Sequence, residues 1–328
     1  MSTATATSTY AAKATRFSGG LRAFVNEWMI LFLFLALFAI CAITIDRFLE
    51  LGNLMNIARQ ISFLAIVALG QFFVILTAEL DLSIGSSIGL QSVLLAGFVA
   101  NSGFSVWAAL ALVLVTAVVI GVVNGLLVIH GNVPSFIATL VTMNVLTGIA
   151  FLYSRGLPIS GLPSWLNYLG MGYFYSIPVP VYLMIIVTVF CYVFTMHTEL
   201  GRSFFAVGGN KEAARLSGIN VKFIGVLAFV LCSLLATIGS IGLTARTMSG
   251  SATLGDAMLF DVMTVVVLGG TSLFGGKGNV LGVVLAAFLT GVISNAMVLM
   301  SIDTYFQWIV KGAILITVVL IDVNSKRK

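Results

Sequence analysis

The chain is a succession of apolar runs, most of them about 18 residues or longer, separated by short polar breaks. Lipid offers no water to backbone N–H and C=O groups, so only helices and closed barrels can cross it. The runs are continuous rather than alternating, which selects helices over barrel strands. Of 328 residues, 60% are hydrophobic and 8% charged, with a mean hydropathy of +1.14. A water-soluble fold of this size cannot hide that much apolar surface.

The pattern reads as ten spans, at about 28–45, 57–77, 83–100, 105–129, 134–153, 178–197, 223–246, 259–274, 280–299 and 305–322. This is an all-α, polytopic membrane domain over 28–322, with a flexible cytoplasmic tail at 1–27 and a basic cytoplasmic C-terminus at 323–328. The tail carries no apolar core and no cleavage site of a secretory signal. The third and eighth runs are short and glycine-rich, so one of them is expected to be broken or re-entrant.

Orientation follows from Lys and Arg near helix ends. With the N-terminus inside, the cytoplasmic side collects Lys13, Arg16, Arg22, Arg202, Lys211, Arg215, Lys222, Lys277, Lys326, Arg327 and Lys328. The opposite side keeps Arg47, Arg59, Arg155 and Arg246, with Arg59 and Arg246 candidates for positions inside helices. Both termini are then cytoplasmic. The net charge of +5 is no nucleic-acid signal, because the basic residues sit at helix ends rather than in one patch. Cys41, Cys191 and Cys232 fall inside apolar runs and read as small hydrophobes, with neither metal spacing nor a disulfide framework.

Between the sixth and seventh runs lies the one long, highly charged segment, ELGRSFFAVGGNKEAARLSGINVK at 199–222. KEAARLSG reads as a short helix closed by Gly218, and Gly209 and Gly218 are the positions expected to need positive φ or a helix C-cap. A compact basic element of this kind suits a cytoplasmic partner. On the other side, 154–177 carries Trp165, Tyr168, Tyr173 and Tyr175 beside prolines, which suits an interfacial helix with an aromatic belt. Two readings of it stand: a docking surface for an extracytoplasmic partner, or an ordinary membrane-surface loop.

Asp81 and Ser83, between the second and third runs, are good N-caps for the following helix, and the residue preferences favour that role over substrate contact. Asp261 and Lys311 are charges inside spans. They either pair with each other or snorkel to an interface. Asn124, Asn144, Asn295 and Gln71 either line a path or, as is more frequent, hydrogen-bond between helices. The glycines of LGGTSLFGGKG at 268–278 have the wrong order and context for a phosphate loop, and tight turns and close packing account for them better. His130 and His197 have no ligand spacing. No nucleophile–base pair is visible, so the sequence supports neither catalysis nor a resident metal or cofactor.

LGRSFFAVGGNKEAARLSGINV (200–221), LDLSIGS (80–86), VPSFIATL (133–140) and VVLGGTSLFGGKG (266–278) together resemble the permease subunit of bacterial monosaccharide ABC importers. That is the branch handling ribose, xylose, arabinose, galactosides and autoinducer-2. The resemblance runs from about residue 30 to 322. It implies the type II importer permease fold, with two halves in inverted topology, in the bacterial inner membrane. It also implies a second permease chain, a periplasmic substrate-binding protein above, and an ABC ATPase below that binds ATP and Mg. The 200–221 segment is similar to the family's ATPase-docking loop, and the matching positions are Gly201, Arg202, Gly208, Gly209, Asn210, Ala214, Arg215, Leu216, Gly218 and Ile219. Asp81, Ser83, Asn124, Asn144, Asp261 and Asn295 are the candidate pore or helix-cap residues. The chain departs from the family's usual pattern at Glu79-Leu80, where Gly-Ile is common. It departs again at Leu259, where an acid often precedes the aspartate aligned with Asp261.

Two function classes compete on the residues alone. One is a permease driven by separate ATPases; the other is a secondary transporter coupled to ions through Glu79, Asp81 or Asp261. A structured docking element at 199–222 favours the first. No channel selectivity filter is present.

Overall fold

The computed structural model describes residues 30–326. The expected tail at 1–27, with Lys13, Arg16 and Arg22, lies outside them, as do Arg327 and Lys328. Seven described helices are long and apolar enough to cross a membrane. They are α2 (Leu51–Leu76), α4 (Val106–Gly125, extended by a π-turn at Leu126–His130), α5 (Ser135–Ser154), α7 (Val179–His197), α10 (Val221–Thr247), α12 (Val280–Leu299) and α13 (Thr304–Lys326). Three shorter apolar helices, α1 (Ile30–Thr44), α3 (Ile84–Ala100) and α11 (Met258–Leu268), complete the ten expected runs. Helix α13 continues about one turn past the expected span end at 322, to Lys326.

Helices α2 and α10 form the centre. From Ile61 to Leu76 every residue of α2 is buried, as befits a helix that is apolar on all sides. At 26 and 27 residues the two are each about 40 Å long, enough to cross the hydrocarbon core. They run antiparallel: Gly70 lies against Cys232, and Gly242 against Phe63. A Cβ at Gly70 would come within 2.9 Å of the Cys232 carbonyl oxygen, so glycine sets the spacing there.

Each long helix ends at a left-handed residue that is not glycine, Ala78 (φ 62°) after α2 and Met248 (φ 52°) after α10. The chain then turns back into the thickness spanned by the long helices. After α2, Ser83 reaches Asn124, and Asp81 reaches the level of Cys232, which lies about 16 Å along α10. After α10, the segment 249–255 runs along α3 from Ser92 to Gly85. Helices α3 and α11 therefore both start inside the membrane thickness. The sequence suggested one broken span; there are two. The eighth span also ends early, at Leu268 rather than 274, because Gly269 packs on the α12 backbone at Val283 and Gly270 (φ 85°) turns the chain.

The same neighbours recur in both halves. Helix α4 packs on α10 as α12 packs on α2, and α3 packs on α5 as α11 packs on α13. Because α2 and α10 are antiparallel, α2–α5 and α10–α13 are related in inverted topology.

Outside this frame, 154–178 forms strand β1 (Ile159–Ser160), a 3-10 turn at Ser164–Leu166, helix α6 (Asn167–Met171), and a hairpin of β2 (Tyr173–Phe174) with β3 (Ile177–Pro178). β1 pairs antiparallel with β4 (Ser249–Gly250), joining the two loops at that end. The expected interfacial helix is thus a short α6. Arg59 holds it by donating to the Met171 carbonyl at 3.2 Å and lying 4.6 Å over the Tyr173 ring.

Candidate functional site

The charged segment 199–222 folds as two short helices, α8 (Glu199–Gly209) and α9 (Lys211–Leu216), where the sequence suggested one. The Thr198 hydroxyl caps α8 by accepting from the Gly201 N–H at 2.9 Å. Asn210 ends α8 and caps α9, accepting from the Ala213 N–H at 2.9 Å. Helix α9 closes as expected at Gly218 (φ 84°): the Ile219 N–H bonds to the Ala214 carbonyl and the Gly218 N–H to the Arg215 carbonyl. This is the Schellman arrangement.

Helix α8 is amphipathic. Gly201, Phe204 and Val207 are buried on one face while Arg202 and Gly209 stay exposed. Phe204 is the anchor, fully buried between Phe73 (5.3 Å) and Phe194 (6.0 Å). The tight position is Gly208, not Gly209. A Cβ at Gly208 would overlap the Leu76 carbonyl oxygen and the Gly276 nitrogen, whereas a Cβ at Gly209 meets open space and its φ is not positive.

Helix α9 projects from this base. Ala214 is buried, while Glu212, Arg215 and Leu216 face outward, and Leu216 is 78% exposed. Arg215 is held by Glu212 at 2.6 Å. Glu212, Arg215 and Leu216 give this capped, anchored helix a mixed charged and apolar outer face that a protein partner can meet.

The candidate pore and cap residues do not converge on one site. Asp81, Ser83 and Asn124 do meet, in a buried network. Asp81 Oδ1 accepts from the Ser83 N–H (2.8 Å) and hydroxyl (2.6 Å), and Asn124 Nδ2 donates to the Ser83 hydroxyl oxygen (2.9 Å). Neither residue takes its expected capping role: Asp81 accepts from Ser83, within the return before α3, and Ser83 makes no acceptor bond to the helix's free N–H groups. The Leu80 and Leu82 N–H groups bond to Ser135 and Thr139 hydroxyls on α5, fixing the extended backbone of this return.

Asp261 pairs with Lys311 at 2.7 Å, resolving the choice between pairing and snorkelling. Asn295 exchanges amide bonds with Asn53 at 3.1 and 2.8 Å, tying α12 to α2. Gln71 is buried against Met263 and Cys232. Asn144 alone is exposed, on an uncovered face of α5.

Sequence reasoning missed several polar links between α3 and its neighbours: Ser240 to the Ile88 carbonyl, Thr244 to Ser92, and Thr147 to Ser86. Their only signal was the frequency of Ser and Thr within otherwise apolar runs. Among the described residues, no group of His, Cys, Asp and Glu is arranged to hold a metal.

Comparison with known proteins places the chain. Residues 53–319 match the family described as branched-chain amino acid transport system / permease component. The ribose import permease protein RbsC of Escherichia coli (strain K12) is 39% identical over 327 residues, covering 95% of this chain and 99% of that protein. The ribose import permease protein RbsC of Bacillus subtilis (strain 168) is 38% identical over 296 residues, covering 88% and 91%. The xylose transport system permease protein XylH of Haemophilus influenzae is 31% identical over 350 residues, covering 87% and 92%. No solved structure matches. The chain is a multi-pass membrane protein that belongs to this family of transport permease components, in the branch of sugar ABC importers.

Proposed function

We propose that this chain is the membrane pathway of an ATP-driven importer that carries a monosaccharide or related small polar solute from the periplasm to the cytoplasm. The observation that carries the reading is the α8–α9 element, anchored by Phe204 and presenting Leu216 outward. It is the docking site for an ABC ATPase subunit, which binds ATP and Mg and performs the hydrolysis; this chain is not itself an enzyme. A periplasmic substrate-binding protein delivers the solute at the opposite end, and a second permease chain completes the path. The protein sits in the bacterial inner membrane with both termini in the cytoplasm.

The groups an ion-coupled carrier would use are already engaged within the chain: Asp81 with Ser83, Asp261 with Lys311, and Glu79 with Lys211. This supports the ATP-driven reading. The test is uptake of labelled ribose and xylose into vesicles that hold the permease with its ABC ATPase and periplasmic binding protein. ATP-dependent uptake that survives collapse of ion gradients is expected. Uptake without the ATPase that an ionophore abolishes would replace the reading with a secondary carrier.

A further inference from the structure

Glu79 lies where three structural pieces meet. Its carboxylate accepts from Lys211 Nζ at 2.6 Å, joining the return after α2 to the first residue of α9. The Glu79 side chain is 12% exposed and the Lys211 side chain 49%, so the pair is sheltered on its acid side and open to solvent on the other. Beneath it the backbones close up without side chains. The Gly276 N–H donates to the Leu76 carbonyl at 3.0 Å, and a Cβ at Gly275 would lie 2.8 Å from Ala78 and 2.9 Å from the Gly208 oxygen. The end of α2, the end of α8 and the turn after α11 therefore form one junction. Both inverted halves contribute to it, since α2 opens the first and α11 belongs to the second.

From this junction the chain leads directly to the start of α3. Glu79 is followed by Leu80, Asp81, Leu82 and Ser83, each held by bonds to α5, α4 or within the return. A shift of α9 relative to α2 has two routes inward: the backbone junction and the Glu79–Lys211 pair. The pair is the only described ion pair between the α8–α9 element and the membrane body. We infer that Glu79 and Lys211 form a transmission link, through which movement of the docked ATPase is passed to the intramembrane return 79–83 and so to the start of α3. Glu79 is a positioning residue; it touches no solute. The inference rests on the docking role proposed for α8–α9.

The link is tested in the complete complex, in proteoliposomes with ATPase and binding protein, by measuring solute moved per ATP hydrolysed. The native complex must first show ATP-dependent uptake; its absence would refute the proposed function and the link with it, whereas the variants below test the link alone. Glu79→Gln should lower solute per ATP by roughly threefold or more while the ATPase still co-purifies. The exchanged pair, Glu79→Lys with Lys211→Glu, should restore the ratio to within about twofold of native. Loss of ATPase co-purification in Glu79→Gln would make the residue a docking contact and overturn the link. So would an unchanged ratio in Glu79→Gln, or an exchanged pair as uncoupled as the single variant.

Discussion

Lys311 Nζ lies 2.7 Å from Asp261 Oδ2, tying α13 to the first turn of α11 in the second half of the inverted frame. Both side chains are largely shielded, at 17% and 14% exposure. Removing one partner leaves the other charge uncompensated in a poorly hydrated place, whereas removing both can be nearly neutral. Lys311→Met should therefore destabilise the protein by about 2–4 kcal/mol, and Lys311→Met with Asp261→Leu by markedly less. Thermal unfolding in detergent reads the difference. Additive losses in the double variant would show that the two residues act independently.

The two adjacent glycines of α8 should behave oppositely. Gly208→Ala drives a methyl into Leu76 and Gly276 backbone, which cannot move without opening the junction. Gly209→Ala points into open space at a helix end and should be neutral or slightly stabilising, by up to about 1 kcal/mol. The expected result is loss of ATPase co-purification and uptake in Gly208→Ala alone. Equal behaviour of the two variants would contradict the packing described for α8.

The buried bonds among Asp81, Ser83 and Asn124 predict a structural role for all three. Asn124→Leu removes the donor to Ser83 and should cost about 1–3 kcal/mol of stability. Asp81→Asn should cost a similar amount, since a neutral amide oxygen accepts the Ser83 bonds more weakly than a carboxylate. Thermal stability should fall while the purified permease shows no micromolar monosaccharide binding, before or after substitution. Micromolar binding to the permease alone, abolished by Asp81→Asn with stability intact, would make Asp81 a solute ligand.

What the sequence revealed depended on whether a signal was local. Hydropathy located the spans because lipid demands long apolar helices. It overran α11 because Thr271–Phe274 continues a weakly apolar stretch, while the stop is set by Gly269 meeting Val283 of another helix. Gly218 was legible as a C-cap because its motif is contained within one turn. Gly209 was misjudged because steric room is a tertiary property; the crowding falls on its neighbour. The β2–β3 hairpin was hidden because its turn uses Tyr175 and Ser176 at φ 45° and 65°, not the Asn-Gly that usually marks such turns. The Glu79–Lys211 pair spans 132 positions of sequence, and no local pattern reports it.

The orientation of the frame gives a final prediction. The basic residues of α8–α9 and the aromatic 154–178 segment lie at opposite ends of the helices, so they should face opposite sides of the membrane. Ser217, after α9, and Ser164, before α6, are both exposed and suit single-cysteine labelling. The native Cys41, Cys191 and Cys232 are buried, and replacing Cys41 and Cys191 with Ala and Cys232 with Ser, which keeps a donor to Gln71, removes background reaction with modest loss of packing. In intact cells, a membrane-impermeant maleimide should label Ser164→Cys and spare Ser217→Cys until the membrane is opened. Labelling of Ser217→Cys but not Ser164→Cys from outside would invert the topology. It would also put the α8–α9 element out of reach of a cytoplasmic ATPase, and the proposed function would fall with it.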